Sequence, residues 1–563
     1  MKYKIYITLF LIVLGSFVLR FYKVAEDPPA LNWDETSIAY NAYSILKTGK
    51  DEWGQFFPVH FKAYGEYKLP VQVYASIPGI AIFGLNELGV RITPVVYGTI
   101  TILVTFFLAR ALFQSEFLAL MAAFLLAISP WHIQLTRASF ESSFAVLWVE
   151  LGIWFLIKGF SNKRWLIYSM IPFAISTFTY NSALIFTPLF LFAIALIYHK
   201  TFIKMKRTIL VAAIIFMILL LPETPYLLSG NRSSRYKLVS ITDDAGLIPR
   251  INQNRGNSKL PQPLPRLIHN RITYVAFYFT ENYLSHFTPQ FLFISGAPHK
   301  QHSVQNMGEL YFFQAPFLLF GLYLLFKRKN RFRWLLISWI LLVNVPVATT
   351  NDSIPNALRT AIAASFYQIL TALGIWEVVI WLKNKHRSLK ISVFLLSMLI
   401  LLFSLTYYFY QYYVVYPVNY SRDWQYGYQQ AVDFVNKQAD KYDLIVFTRH
   451  YGEPHMFTLF YLNYPPALYQ NNPNLDRFET NNWVWVLKFD MFYFASNGEQ
   501  KKVLLYFPDL GDKGTQYADI VKQNPGKKLL FIGKPGDFPA DKQKLFTVNF
   551  LNGDEAFEVV ESK

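Results

Sequence analysis

The sequence predicts a polytopic α-helical membrane protein that ends in a small α/β domain. Of its 563 residues, 53% are hydrophobic and only 16% are charged, whereas a soluble globular chain carries about 25% charged residues. Long apolar segments recur as far as residue 413, and shorter, strand-like runs follow them. The chain has no Cys, which excludes disulfides and thiolate metal sites.

The apolar segments predict about eleven membrane spans, since a spanning helix needs about 20 mostly apolar residues. One stretch, 165–198, contains no Lys, Arg, Asp or Glu. As a single helix it would be about 50 Å long, too long for a hydrocarbon core of about 30 Å. We therefore expect a break within 176–183. The expected spans are 5–20, 92–112, 117–130, 142–157, 165–180, 182–198, 208–222, 310–326, 334–349, 360–382 and 391–413.

The charges between these segments predict the orientation. Four alternate loops are basic, namely 158–164, 199–207, 327–333 and 383–390. Because cytoplasmic loops carry an excess of Lys and Arg, we expect a cytoplasmic N-terminus in the cell membrane and an extracytoplasmic C-terminus. Two further spans, thirteen in all, would preserve this orientation. The net charge of +17 thus reflects membrane topology and does not indicate nucleic-acid binding.

The domain prediction follows from this topology. Residues 1–415 form the membrane domain, with outer loops 21–91 and 223–309, and residues 416–563 form an extracytoplasmic α/β domain. Within that domain the sequence predicts an amphipathic helix over 423–439 and buried strands. The predicted strands are 442–448, 482–489, 502–508 and 528–534.

Two neighbouring acids, Asp34 and Glu35 in "WDE", stand at the start of a helix-like pattern in the first outer loop. An acidic pair there can simply cap a helix and interact with its dipole. A carboxylate at the membrane face can also act as a general base for a hydroxyl or amine that attacks an electrophilic carbon. Both interpretations remain open from the residues alone.

Further polar clusters lie in the predicted outer segments. In "YGEYKLP" (64–70), Lys68 could hold a phosphate with Glu66 beside it, or the motif could be a turn at the headgroup level. Arg137 and Glu141 are spaced i, i+4, so a helical salt bridge competes with a functional role. Arg359, at another helix start, could meet a phosphate.

The loop 230–271 carries eight basic residues against two acids. Such a cluster is either a solvated face or a surface for an anionic lipid or glycan.

The order of these clusters resembles the GT-C superfamily of membrane glycosyltransferases, in particular the bacterial protein O-mannosyltransferases and aminoarabinose transferases. The resemblance covers roughly residues 1–415. It rests on "WDE" and "YGEYKLP", followed by "GLNELGVRITPVVYGTITILVTFFLARALF", "SPWHIQLTRASFE", "SHFTPQFLF" and "IPNALRT".

The resemblance implies an inverting transfer of a sugar from a polyprenyl phosphate to an extracytoplasmic protein, lipid or glycan. It implies that Asp34 is the base, with Glu35 beside it. Lys68, Arg359 and Arg137 would contact the donor phosphate, and Glu66, Glu141 and Tyr64 would support the site or bind the acceptor. Some relatives hold a divalent cation, which here would fall to Glu66 with His299 or His302. This sequence has "EYKLP" where the family pattern is "EKPP", so its lysine is displaced by one residue.

Other functions compete with this interpretation. A transporter or flippase would place ionisable residues within the spans and show related halves, whereas the charges here lie at one face and no repeat is visible. An oligosaccharyltransferase would carry a WWDYG motif. "DWQYG" (423–427) is similar only superficially, because its acid precedes the Trp. A membrane-anchored binding module would not need eleven spans.

The orientation is testable with a reporter that is active only in the cytoplasm, fused after Lys563. Because the alternate loops are basic, we expect this fusion to be inactive and a fusion within 383–390 to be active. Strong activity of the C-terminal fusion would invert the topology and place "WDE" in the cytoplasm.

Overall fold

The computed structural model describes residues 2–228, 239–244, 246–479, 483–495 and 516–562. The chain forms two compact units. The first contains residues 1–22 and 94–412, and the second contains 23–93 and 413–563. The sequence assigned the loop 21–91 to the membrane domain, whereas most of it belongs to the unit that contains the C-terminal sheet.

The first unit is a bundle of apolar helices. Among the described residues, six helices are long and apolar enough to cross a membrane, or seven if one pair bent by 55° counts as a single span. The six are Tyr3–Phe21, Glu87–Phe113, Glu141–Gly159, Lys206–Tyr226, Ala361–Lys383 and Arg387–Tyr420, and the bent pair is Glu116–Ala127 with Pro130–Arg137. Shorter apolar helices of this unit are Asn181–Ile197, Gln314–Lys327 and Arg333–Ala348.

Every predicted span therefore coincides with a helix, and the number of crossings stays a prediction. The predicted break is confirmed, because one helix ends at Thr177 and the next begins at Asn181. The remaining helices of this unit are Arg164–Thr177, His199–Ile203, Thr224–Leu228, Leu247–Asn257, Leu264–Ile268 and Arg271–Ser285. Of the basic loop 230–271, Arg232, Arg235 and Lys237 lie outside the described residues.

The second unit is built around a mixed sheet. Its described strands are β3 (Leu444–Thr448), β4 (Asp476–Glu479), β5 (Val484–Phe489), β6 (Phe492–Ala495), β7 (Leu529–Gly533), β8 (Phe546–Asn549) and β9 (Glu555–Glu561). They lie in the order β4-β5-β6-β3-β7-β9-β8, with β3 parallel to both neighbours. A separate hairpin pairs β1 (Phe61–Lys62) with β2 (Tyr67–Lys68).

The sheet confirms the predicted strands at 442–448, 482–489 and 528–534 within the described residues. The predicted strand 502–508 lies outside them. The helices of this unit are Trp33–Thr48, Pro70–Phe83, Tyr416–Tyr420, Tyr428–Gln438, Pro454–Tyr461, Pro466–Gln470 and Tyr517–Gln523. A shared core explains why the first loop belongs here, since Ile38 and Tyr40 are buried in the same apolar cluster as Phe457 and Ile445.

The prediction of a helix from residue 423 was wrong by five residues. The helix begins at Tyr428, and a turn precedes it. Gln425 has φ 58° and Gly427 has φ 109°, a left-handed conformation that ends helical hydrogen bonding. Trp424 is fully buried in this turn.

Two glycines allow a close helix crossing in the bundle. A Cβ added to Gly321 would lie 2.0 Å from the carbonyl oxygen of Leu370, and one added to Gly374 would lie 2.1 Å from that of Phe317. The helices Gln314–Lys327 and Ala364–Lys383 therefore touch backbone to backbone, as small residues allow in membranes.

We expect Gly321→Ala to destabilise the protein by about 1–3 kcal/mol, the usual cost of overpacking, because the obstructing atom is backbone. Thermal unfolding in detergent measures this. Gly15→Ala is the matched control, since a Cβ there meets nothing within 4 Å. Equal melting temperatures for the two variants would contradict the close crossing.

Candidate active site

The loop that carries "WDE" is fixed by one buried arginine. The Arg91 guanidinium pairs with the Glu35 carboxylate at 3.1 Å, and both side chains are fully buried. Arg91 also donates to the carbonyl oxygens of Val24 (3.1 Å), Pro28 (2.7 Å) and Ala30 (2.5 Å). A buried charge is tolerated when it is paired and hydrogen-bonded, and this network orders a segment that has no regular structure.

Glu35 also closes the start of the helix Trp33–Thr48. Asn32 is the N-cap: its Oδ1 accepts from the Glu35 N–H at 2.9 Å, and Glu35 Oε2 accepts from the Asn32 N–H at 3.2 Å. This is a capping box. The capping interpretation therefore applies to Glu35, and its carboxylate supports the loop from the interior, where no substrate can reach it.

Asp34 has a different environment. Its side chain is 40% exposed, and its Oδ1 accepts from Lys68 Nζ at 2.6 Å. The Lys68 side chain is only 3% exposed, and its Nζ also lies 3.7 Å from Glu66 Oε1. The hairpin β1–β2 holds this lysine opposite Phe61. One buried ammonium thus stands between two carboxylates, and Asp34 is the more accessible of them.

Three aromatic rings, of Trp33, Tyr64 and Trp483, pack against one another at this loop. Tyr64 donates its hydroxyl hydrogen to the Trp33 carbonyl at 2.8 Å. The centroid of the Trp33 ring lies 6.0 Å from that of Tyr64 and 6.4 Å from that of Trp483, and the Tyr64 and Trp483 rings stack at 6.0 Å. Burial raises the pKa of Tyr64 well above its usual value, so Tyr64 acts here as a neutral hydrogen-bond donor.

Residues distant in sequence hold Trp33 in place. Its backbone N–H donates to Gln425 Oε1 at 2.8 Å, and Gln425 Nε2 donates to the Tyr451 carbonyl at 2.5 Å. Gly452 has φ 123°, and a Cβ there would lie 2.5 Å from the Trp33 ring. Gln425, Gly452 and Trp483 were not among the residues predicted from the sequence. The only available signal was "DWQYG", which contains Gln425.

Buried titratable groups lie close behind Tyr64. Burial lowers the pKa of His455, and its Nδ1 lies 3.4 Å from Glu453 Oε2. Burial also raises the pKa of Glu52 to about 7, although Asn41 Nδ2 donates to this carboxylate at 3.0 Å.

The cation site of Glu66 with His299 or His302 stays a prediction. Across the described ranges, no group of three or more His, Asp or Glu is arranged to hold a metal ion. The rings of His299 and His302 stack on each other with centroids 3.7 Å apart, and Glu66 lies beside Lys68.

The other predicted residues lie in the helical unit. Arg137 is buried and donates to the Tyr412 hydroxyl at 2.9 Å and to the carbonyl oxygens of Leu19 and Arg20 at 2.9 and 3.0 Å. One helix ends at Arg137 and the next begins at Glu141. Of the two alternatives, the i, i+4 arrangement on one helix does not apply, because residues 138–140 interrupt the helix.

Arg359 is held by its neighbours. Its guanidinium donates to Thr350 Oγ1 at 2.8 Å and to the Asp352 carboxylate at 2.8 Å. Burial alone would raise the pKa of Asp352, but Arg359 and the Ser353 hydroxyl hold it below its usual value. Arg359 thus already binds an anion, and the Asp352 side chain is 52% exposed.

The raised pKa of Glu52 predicts how the stability of the folded protein depends on pH. A carboxyl whose pKa rises from 4.5 to about 7 on folding contributes stability below pH 4.5, and this contribution is lost as the pH rises through 7. We expect Glu52→Gln to be more stable than the parent at pH 8, by about 3 kcal/mol, and to lose this advantage at pH 4.5. Unfolding of the full-length parent and variant in detergent, at pH 8 and at pH 4.5, measures this difference in stability. Glu26→Gln is the control, because that side chain is 70% exposed. An equal pH dependence for both variants would contradict the shift.

Comparisons with known proteins agree with this architecture. Residues 70–226 match a family model described as dolichyl-phosphate-mannose-protein mannosyltransferase. No curated protein sequence matches the chain.

Two solved proteins share the fold at low identity. ArnT from Cupriavidus metallidurans in the apo state has a TM-score of 0.54 at 12% identity, over 98% of this chain and 97% of that one. The same protein bound to undecaprenyl phosphate gives 0.50 at 14% identity, with the same coverage.

The oligosaccharyltransferase AglB from Archaeoglobus fulgidus, in complex with an inhibitory peptide and a dolichol-phosphate, has a TM-score of 0.51 at 15% identity. The alignment covers 82% of this chain but only 64% of AglB. The family-model match and the shared fold confirm the resemblance predicted from the sequence, and the chain has the fold of the GT-C membrane glycosyltransferases.

Proposed function

We propose that the chain is a glycosyltransferase that moves a sugar from a polyprenyl phosphate to an acceptor outside the cytoplasm, with inversion at the anomeric carbon. The observation that carries this proposal is the exposed Asp34 carboxylate next to the buried Lys68 ammonium, 2.6 Å away, on a loop fixed by Arg91. The fold supports it, since it is shared with ArnT, solved with undecaprenyl phosphate, and with AglB, solved with a dolichol-phosphate.

The reaction needs a base and a means to stabilise the leaving group. The acceptor oxygen bonds to the anomeric carbon while the bond from that carbon to the phosphate oxygen breaks. The bonding electrons leave with the polyprenyl phosphate, and the acceptor proton passes to Asp34. Lys68 stabilises the charge on the departing phosphate. A single displacement of this kind inverts the configuration of the sugar.

The Asp34–Lys68 ion pair is a contact for which a donor phosphate competes. Lys68 Nζ lies 2.6 Å from Asp34 Oδ1. A phosphate that binds the same ammonium draws it away from the carboxylate, which is then open to the acceptor.

The arginines of the helical unit have separate roles in this proposal. Arg359 exchanges the Asp352 carboxylate for a phosphate, because its present partner is half exposed. Arg137 donates to two carbonyl groups and a tyrosine and positions the turn before Glu141. Glu66 holds Lys68, at 3.7 Å, and Tyr64 holds the Trp33 carbonyl.

Substitutions of the two site residues separate base from phosphate contact. The lipid that copurifies with the protein is first identified by mass spectrometry, and the corresponding polyprenyl-phosphate sugar is used as donor. We expect Asp34→Asn to lower turnover by about 10²-fold or more, the usual scale for general-base catalysis. It should not weaken donor affinity, because the carboxylate that competes with the phosphate for Lys68 is lost. Lys68→Ala lowers donor affinity as well as turnover, because the phosphate loses its partner.

Asp433→Asn is the matched control, because this aspartate is exposed on the helix Tyr428–Gln438 and takes no part in the site. It should transfer sugar at the parental rate. Near-normal transfer by Asp34→Asn would remove the base from the mechanism, since Asn replaces Asp well at a helix start and the fold would be unaffected.

A further inference from the structure

A second cavity, independent of the site above, lies at the end of the helical unit that carries the basic loop 327–333. We propose that it binds the phosphodiester headgroup of an anionic membrane lipid. Its volume is about 330 Å³. Its apolar wall includes Leu325 and Leu373, and its polar side is formed by Arg328, Asn330 and Arg331. Basic pockets between membrane helices are suited to anionic headgroups.

The charge on this cavity comes mainly from Arg331. Arg328 forms an ion pair with Glu377, and its guanidinium lies 5.4 Å from the centroid of the Trp376 ring, so its charge is already balanced. Arg331 is exposed and stacks at 5.4 Å on the rings of Phe160 and Phe332. Within the part of the chain that the structure describes, no carboxylate pairs with Arg331. One uncompensated cation therefore faces the cavity.

The loop is held in position before any ligand binds. Asn330 Oδ1 accepts from the Phe332 N–H at 2.7 Å, and its Nδ2 donates to the Leu112 carbonyl at 3.3 Å. The Tyr198 hydroxyl donates to the Arg331 carbonyl at 3.1 Å. Long basic side chains at helix ends often only extend to the membrane surface. Here hydrogen bonds fix the backbone at Arg331, which lowers the entropic cost of ordering its side chain around a ligand.

The apolar lining of the cavity itself favours a lipid over a soluble anion. Leu112, Phe113, Leu324, Leu325 and Leu373 line the same cavity as Arg331. An acyl chain that packs against this lining brings its phosphate to the guanidinium of Arg331. A free phosphate would use the cation alone.

The test uses the full-length protein, delipidated in detergent and titrated by native mass spectrometry. The probes are dioleoyl phosphatidylglycerol and dioleoyl phosphatidylcholine, which differ only in the headgroup. We expect the first phosphatidylglycerol to bind with about fivefold preference, the equivalent of about 1 kcal/mol per arginine near an anionic surface. Arg331→Gln should remove this preference, and Arg331→Lys should restore most of it.

Arg333→Gln is the control, because it makes the same charge change in the same loop and Arg333 does not line the cavity. It should keep the preference. Equal binding of the two lipids, or equal losses in Arg331→Gln and Arg333→Gln, would overturn the proposal. Displacement of phosphatidylglycerol by inorganic phosphate would show a simple anion site and would overturn the assignment to a lipid. Melting temperatures confirm that each variant is folded.

Discussion

The buried pair of Glu35 and Arg91 is the constraint on which the candidate site depends. A fully buried guanidinium costs several kcal/mol unless its donors are satisfied. Arg91 meets this requirement with one carboxylate and three backbone carbonyl groups between residues 24 and 30. Those carbonyl groups belong to an irregular segment that makes no strand or helix. The ion pair therefore specifies the path of the chain into the helix that begins at Trp33, and so the position of Asp34.

Two adjacent acids take opposite roles because a helix turns about 100° per residue. Glu35 points into the protein, where capping and Arg91 satisfy it, and Asp34 points outward, where its side chain is 40% exposed. The same chemical group is buried and structural at one position and accessible at the next. Lys68, buried between Asp34 and Glu66, adds a positive charge for which a phosphate can compete with these carboxylates.

The sequence predicted what depends on local pattern. Apolar length located the helices, and the charge-free stretch 165–198 correctly required a break. The helix that ends at Gln438 was predicted to begin five residues too early. Its amphipathic pattern extends back through Gln425 and Gly427, whose backbone is left-handed. The pairing of Arg91 with Glu35 joins residues 56 positions apart, and Gln425 reaches Trp33 across 392 positions. Spacing along one chain does not reveal such contacts, so the support of the site was missed.

The composition of the second unit changes how its C-terminal part is understood. A sheet attached after the last span would usually be described as a separate domain. Here Gln425, Gly452 and Trp483, all from that part, contact Trp33, the residue before Asp34. Gly452 must lack a side chain for the indole to lie where it does. The loop that carries Asp34 therefore folds against the sheet as much as against its own helix. An ion pair of 2.6 Å between Asp34 and Lys68 weakens as its atoms separate, so the packing of Trp33 against these residues contributes to the geometry of the candidate site.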